Sequence, residues 1–381
     1  MDELTEAIDN RCTPAPEKPT SFSAPTAEHI LRTLFREEMA ALHRSFYAIG
    51  KQGELRWIVD TAAIAALDPV WEAWIPYTRR SRLLWRLIRA AALLRCLGFL
   101  PGVSRLHPEK AVLGDWVNSV PGLRNTAPIV FVGKPSTTAK LTVFLATPPG
   151  DIAAVAKIAL VPGAISSIAC EAAALDALHG RVSGIPRLLA HSPGVCLESW
   201  SPGRSMARTL TQGQVEWLLA LPRSGRRVAL DDRLQQLFSR LPATHRHRAR
   251  PHSFLIPSGL TFNEVWEHGD FVPWNIKKDP DGKLAVVDWE YATASGMPLL
   301  DLLHFHYRQH YLFRDLGDVH ERIAADPLVA YYCRAASIDR RQALALERYY
   351  LLGCLAHQIP ALSALDTYEY FIHSCLARLA V

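Results

Sequence analysis

The stretch His268-Gly269-Asp270-Phe271-Val272-Pro273-Trp274-Asn275, followed by Val286-Val287-Asp288-Trp289-Glu290, decides the reading of this chain. It sets an acid and an amide, Asp270 and Asn275, in one short loop. A second acid, Asp288, ends an apolar run thirteen residues further on. Transfer of a phosphoryl group needs such a set. One carboxylate orients and deprotonates a hydroxyl, while an amide and another carboxylate hold the metals that neutralise polyphosphate charge. An H-G-D turn alone is ordinary loop chemistry, since Asp often hydrogen-bonds its own turn. The spacing of all three residues raises it above that. Asp270 is the candidate catalytic base. Asn275 and Asp288 complete the catalytic set as candidate ligands of Mg2+, which prefers hard oxygens and keeps several waters. His268 is expected to brace the loop rather than to move protons.

The run HGDFVPWNI, a hairpin, VVDWEYA and then Gly296-Met297-Pro298-Leu299-Leu300-Asp301-Leu302 resembles the aminoglycoside phosphotransferase and choline kinase-like family, small-molecule kinases sharing the protein-kinase fold. The likeness is dense from about Val265 to Phe305 and thinner upstream to about Val130. It implies an α+β, bilobal protein-kinase-like fold, with a β-rich N-lobe and a helical C-lobe. It also implies ATP, or alternatively GTP, with Mg2+, and a small polar acceptor bearing a hydroxyl: a sugar, amino alcohol or aminoglycoside-like compound. No A-P-E segment follows Asp288, which speaks against a kinase of proteins.

Further residues follow from the resemblance. Lys157, in the apolar alternating run Ala154–Leu160, is similar to the strand lysine that touches the α- and β-phosphates. A lone lysine there is costly to bury unless paired. Glu171, in the helix that follows, is the expected partner, and a solvated edge-strand lysine is the other reading. Ser136, Thr137 and Thr138 occupy the place of the nucleotide loop, but Gly133 stands there alone instead of a G-x-G-x-x-G run. Glu198 and Trp200 fall where the lobes should join, and backbone groups there would read the base edge. Asp301 is similar to the acid that hydrogen-bonds back to the catalytic loop. The one-glycine loop keeps a competing reading open, a non-catalytic nucleotide-binding scaffold of the same fold.

A chain of 381 residues exceeds one ordinary small core. Its apolar content of 49% and charged content of 21% describe a globular protein. Residues 1–25, rich in Pro, Ser, Thr and Glu, are expected to be a disordered tail. Residues 26–115 are expected to form a helical extension, 116–200 the N-lobe and 201–381 the C-lobe. The formal charge of +5 suits anionic nucleotides without requiring them, and no nucleic-acid partner is expected. The cysteines lie scattered and read as reduced, buried thiols. With an acidic start and no early apolar run, the expected location is cytoplasmic. No feature indicates an oligomeric state.

Arg79 to Leu100 is apolar yet carries arginines at 79, 80, 82, 86, 89 and 95, which excludes an ordinary bilayer span. Two readings remain. Leu83, Leu87, Ala90, Leu94 and Leu97 could form a stripe packed on a neighbouring element, with the arginines solvated. Alternatively, a basic amphipathic helix could make peripheral contact with an anionic membrane.

Overall fold

The computed structural model describes residues 25–37, 43–51, 54–73, 79–133, 135–148, 150–241, 243–279, 281–357 and 365–379. The tail expected over residues 1–25 lies almost wholly outside them. Two lobes are built on different layers. The first is a nine-stranded antiparallel sheet: β1 (Phe35–Glu37), β2 (His43–Lys51), β3 (Glu54–Asp60), β4 (Val103–Leu113), β5 (Ala127–Val132), β6 (Lys140–Ala146), β7 (Ile152–Ala159), β8 (Leu188–Ser192) and β9 (Val195–Glu198). Their spatial order is β1-β4-β2-β3-β5-β6-β7-β9-β8.

That order corrects the helical reading of residues 26–115. Four of the nine strands come from this segment, and β3 pairs directly with β5, with Trp57 opposite Phe131 and Ile58 opposite Val130. The segment therefore extends the N-lobe sheet itself. The helix expected from Ala27 onward, α1 (Ala27–Leu34), stops at Leu34 because Phe35 pairs with Leu113. A run such as HRSFYAIGK has no helical stripe that outweighs strand pairing, and cross-strand partners decide its state. Burial on both faces follows. Ile30, Leu31 and Leu34 of α1 pack with Phe46, Ile58 and Val130 on one side. On the other, Trp57, Val59 and Ile129 pack against α2 (Leu67–Ala73) and α3 (Arg79–Leu93). A buried ion pair, Arg44 to Asp60 at 2.7 Å, also reaches the Thr126 carbonyl at 3.1 Å, tying β2 and β3 to the start of β5.

The core stripe expected on α3 is corrected too. Ile88, Ala91 and Ala92 are the buried positions, next to Trp71, whose ring meets Trp85 at 4.4 Å. The two alanines let the helix approach closely, so Leu83, Leu87, Ala90 and Leu94 face away from the protein, and only Leu97 of that stripe is buried.

Between β7 and β8 lies α4 (Gly163–Leu178), and residues 199–203 lead into the second lobe. There α5 (Gln212–Leu219), β11 (Arg223–Ala229), α6 (Leu230–Arg240) and α7 (Ala243–Ser253) precede β12 (Thr261–Glu267). The hairpin β13 (Ile276–Lys278) and β14 (Leu284–Val286) pairs with the short β10 (Arg204–Ser205). β15 (Thr293–Gly296) joins β11 and β12. Helices α8 (Leu300–Phe313), α9 (Val319–Ala325), α10 (Pro327–Ala335), α11 (Arg340–His357) and α12 (Leu365–Arg378) complete a largely helical body. Stacked Trp217 and Phe271, 5.8 Å apart, seat the 268–275 loop on its core. Cys96, Cys196, Cys333, Cys354 and Cys375 are free. Cys12 lies outside the described residues.

Candidate active site

β12 delivers the chain to His268, where the loop turns under tight constraint. Gly269 has φ +80°, and a Cβ there would lie 2.4 Å from the Tyr291 carbonyl oxygen, so only glycine fits. Asp301, in the first turn of α8, accepts from the backbone N–H groups of His268 at 2.8 Å and Gly269 at 2.9 Å. His268 is fully buried. Its Nδ1 accepts from the Asp270 N–H at 3.2 Å, which leaves Nε2 to donate to the Val287 carbonyl at 3.1 Å. Burial lowers its pKa, in keeping with a neutral ring fixed in one tautomer.

Asn275 donates through Nδ2 to the Asp270 backbone carbonyl at 3.0 Å and to Asp270 Oδ2 at 2.9 Å. Its Oδ1 is the atom left to meet a cation. The other Asp270 oxygen, Oδ1, meets His304 Nε2 at 2.9 Å. Burial raises the Asp270 pKa, yet the hydrogen bond and charge of His304 outweigh it and hold the carboxyl below its ordinary value. Sequence reasoning missed His304. The available signal was its position three residues after Asp301, on the same helix face.

Asp288 follows β14 with a φ of +71°, left-handed for a residue with a side chain. Such conformations persist where surrounding structure over-determines them, often at working sites. Its Oδ1 accepts from Lys157 at 2.8 Å and from Lys140 at 3.0 Å. Lys157 also donates to Glu171, and Glu171 Oε1 accepts the Trp289 N–H at 3.0 Å. One glutamate of the N-lobe helix thereby links the strand lysine to the segment carrying Asp288. Burial disfavours the charges of both lysines, but the carboxylates outweigh it and hold both pKa values above the ordinary lysine range. Burial pushes Asp288 up, and Lys140 and Lys157 more than reverse it, leaving its pKa well below the carboxylate range.

Lys140 is the second residue that sequence reasoning missed. It also meets Glu290 at 2.8 Å. In the sheet, Thr142 lies opposite Lys157, and Lys140 lies two residues from Thr142 on the same face. That cross-strand register is not visible in a single run of letters.

The remaining sequence candidates are placed less centrally. The Glu198 side chain points back to Lys157, with 4.0 Å between the charged atoms. Burial raises its pKa to about 8, against the Lys157 charge and with Glu171 and Asp288 adding to the rise. Trp200 stands edge-on to Phe144 at 5.6 Å. Ser136 turns its hydroxyl to the Thr138 N–H at 3.3 Å within its own loop. That loop descends onto the start of α4, where a Cβ on Gly163 would lie 2.2 Å from the Thr137 carbonyl. Ser136, Thr137 and Thr138 thus sit beside the site, while Lys140, Lys157, Glu171, Glu198 and Asp288 meet within it.

Among the described residues, no group of three or more His, Cys, Asp and Glu forms a metal cage. The donor set still fits magnesium, which takes few protein ligands and completes its shell with water and phosphate. Glu171, Glu198, Asp288 and Glu290 outnumber Lys140 and Lys157. Glu171 Oε2 and Glu198 Oε2 are buried without a hydrogen-bond partner. Buried carboxylate oxygens without a partner, beside Asp288, fit a cation.

Residues 187–346 match the profile of the phosphotransferase enzyme family. Over these residues the chain is similar to that family. The match runs from just before β8 into α11, so it contains Asp270, Asn275, Asp288 and Asp301 and stops short of Lys157 and Glu171. Solved phosphotransferase structures are similar at low identity. A macrolide 2'-phosphotransferase from Brachybacterium faecium is 15% identical, with 66% of this chain and 90% of that chain covered and a TM-score of 0.41. A choline kinase from Streptococcus pneumoniae is 12% identical, covering 63% and 89%, with a TM-score of 0.41. An aminoglycoside phosphotransferase from Alicyclobacillus acidocaldarius is 16% identical, covering 65% and 91%, with a TM-score of 0.35. No curated protein matches the chain significantly.

Proposed function

We propose that the chain is a small-molecule phosphotransferase that moves the γ-phosphoryl group of a nucleoside triphosphate, ATP in the first instance, to a hydroxyl. The observation that carries this reading is the Lys157 ammonium held jointly by Glu171 and Asp288. It draws a strand, a helix and the VVDWE segment to one point, beside a loop that presents Asp270. Asp270 takes the acceptor's hydroxyl proton. The acceptor oxygen then forms a bond to the γ-phosphorus as the bridging bond to the β-phosphate breaks, and the diphosphate leaves with that electron pair. His304 and Asn275 fix the Asp270 carboxylate from both sides, so its alignment is set before the acceptor arrives. Asn275 and Asp288 would hold Mg2+, which supplies neutralisation of the phosphate oxygens. Lys157 and Lys140 offer positive charge to the same oxygens. A small polar molecule such as a sugar, amino alcohol or aminoglycoside-like compound suits the acceptor role. A reaction that consumes ATP supports a cytoplasmic location.

The test is a phosphoryl-transfer screen of the purified chain against those three acceptor classes, with Asp288→Ala as control. Transfer to one class, with Mg2+-dependent thermal stabilisation by ATP that Asp288→Ala abolishes, is the expected result. A second reading, nucleotide binding without transfer, draws on one observation: both lysines already occupy Asp288 Oδ1. Stabilisation by ATP with no hydrolysis and no transfer in the screen would favour it. If Asp288→Ala bound nucleotide and metal as well as the parent, the ligand assignment would be wrong.

A further inference from the structure

The helix α3 turns an apolar line away from the protein. Leu83, Leu87 and Leu94 are 62%, 54% and 76% exposed, and Phe99, just beyond the helix, is 89% exposed. Leu83, Leu87, Ala90 and Leu94 recur at helical spacing, so they form one continuous strip. Leu84 and Leu93 are exposed beside it. Soluble proteins rarely leave contiguous apolar surface of this kind without a use. The opposite face is fully committed, with Ile88, Ala91 and Ala92 in the core beneath the sheet.

The charges around the strip say what covers it. From Arg79 to Leu106 the sequence holds seven arginines and no Asp or Glu. Arg82, Arg86, Arg95 and Arg105 are exposed. On the helical wheel Arg82 and Arg86 border the leucine strip on one side, whereas Arg89 turns inward to Asp68 at 2.8 Å. Without this stretch the chain carries 35 basic and 37 acidic side chains, so its whole basic excess is gathered here. A two-fold pairing of this face with a second copy would oppose arginine to arginine. The chemistry complementary to it is an apolar layer bearing anionic groups.

We propose that α3 docks the protein on an anionic lipid surface. Leu83, Leu87, Leu94 and Phe99 enter the acyl boundary, and Arg82, Arg86 and Arg95 meet headgroup phosphates. The helix lies in the interface and does not cross it; no helix among the described residues is long and apolar enough to span a membrane. Docking also fixes the catalytic loop relative to the lipid. Arg89 joins α3 to α2 through Asp68 and Glu72, and the last carbonyl of α2, Ala73, is held by Lys277, two residues beyond Asn275.

The experiment is co-sedimentation of the full chain with vesicles of phosphatidylcholine alone and of phosphatidylcholine mixed with phosphatidylglycerol, at low and high salt. The parent should bind the mixed vesicles at least about tenfold more tightly than the neutral ones, and high salt should weaken binding. Leu83→Ser, Leu87→Ser and Leu94→Ser together, and separately Arg82→Glu with Arg86→Glu, should each reduce binding about tenfold or more without lowering the melting temperature, because all five side chains are exposed. No binding to either vesicle, or equal binding to both, overturns the proposal. So does a parent that self-associates in sedimentation velocity while the triple serine variant stays monomeric, since the strip would then be a contact between copies.

Discussion

The loop around Asp270 and the first third of the chain are built by opposite rules. In the loop, neighbours in sequence are neighbours in space: His268 accepts from Asp270, and Asn275 donates to Asp270. In the first third, the partners that decide each element lie far off, as with Phe35 opposite Leu113 or Arg44 against the Thr126 carbonyl. A local motif carries its own geometry. A strand without a strong alternation takes its geometry from whatever pairs with it.

Removing residues 1–115 tests that contrast most severely. It strips the partner from β5 and uncovers Ile129 and the face now packed by α2 and α3, leaving a long open edge. The truncated chain should aggregate in size-exclusion chromatography, and a monodisperse, active product would show that the four added strands are a separable layer.

Next comes the loop. Asp270→Asn should lower turnover by roughly 10²–10⁴-fold, the usual weight of a general base. Thermal stabilisation by ATP should remain, since nothing in the change touches the lysines. Full activity in this variant would remove the loop from the chemistry.

Trp71→Ala probes whether the added layer shares the fold's stability. Trp71 is buried against Trp85 in the core under the sheet, and such truncations cost about 3–5 kcal/mol. A loss below about 1 kcal/mol in urea titration would mean that this layer unfolds on its own. Lys140→Met addresses the residue that register alone brings to Asp288. Calorimetry should record ATP affinity reduced about tenfold, the scale of one charge-assisted hydrogen bond. Unchanged affinity would assign Lys140 to packing.

The smallest effect is a slope with pH. Burial lifts the Glu198 carboxyl to about 8, above its ordinary value of 4.5. The folded chain therefore keeps a proton that the unfolded chain has released, and stability falls as pH rises from about 4.5 to about 8. Glu198→Gln should flatten that decline in melting temperature. An unchanged slope would place the titration elsewhere.

What could be read in the letters alone divides along the same line. Asp270, Asn275 and Asp288 lie close enough along the chain for spacing to group them, whereas Asp301, 33 residues from His268, was reached through the family resemblance. Lys157 and Glu171 are fourteen apart, and the cost of burying a lone ammonium pointed from one to the other. Lys140 and Glu198 could not be assigned this way, because their nearness to Lys157 exists only through the β6–β7 and β7–β9 registers. On α3 the period of the leucines was legible but its direction was not. Nothing in a periodic stripe states which side of the helix the protein occupies, and Ala91 and Ala92 supplied the closer fit.

The hold of Lys277 on Ala73, Ser205 and Trp274 has a mechanical consequence. A cleft between two bodies joined by one strand of chain can swing in any direction. Here the grip of α2 on the hairpin behind Asn275 adds to residues 199–203 and to the Lys157–Asp288 and Glu171–Trp289 contacts, so swing between the bodies is restrained at several points.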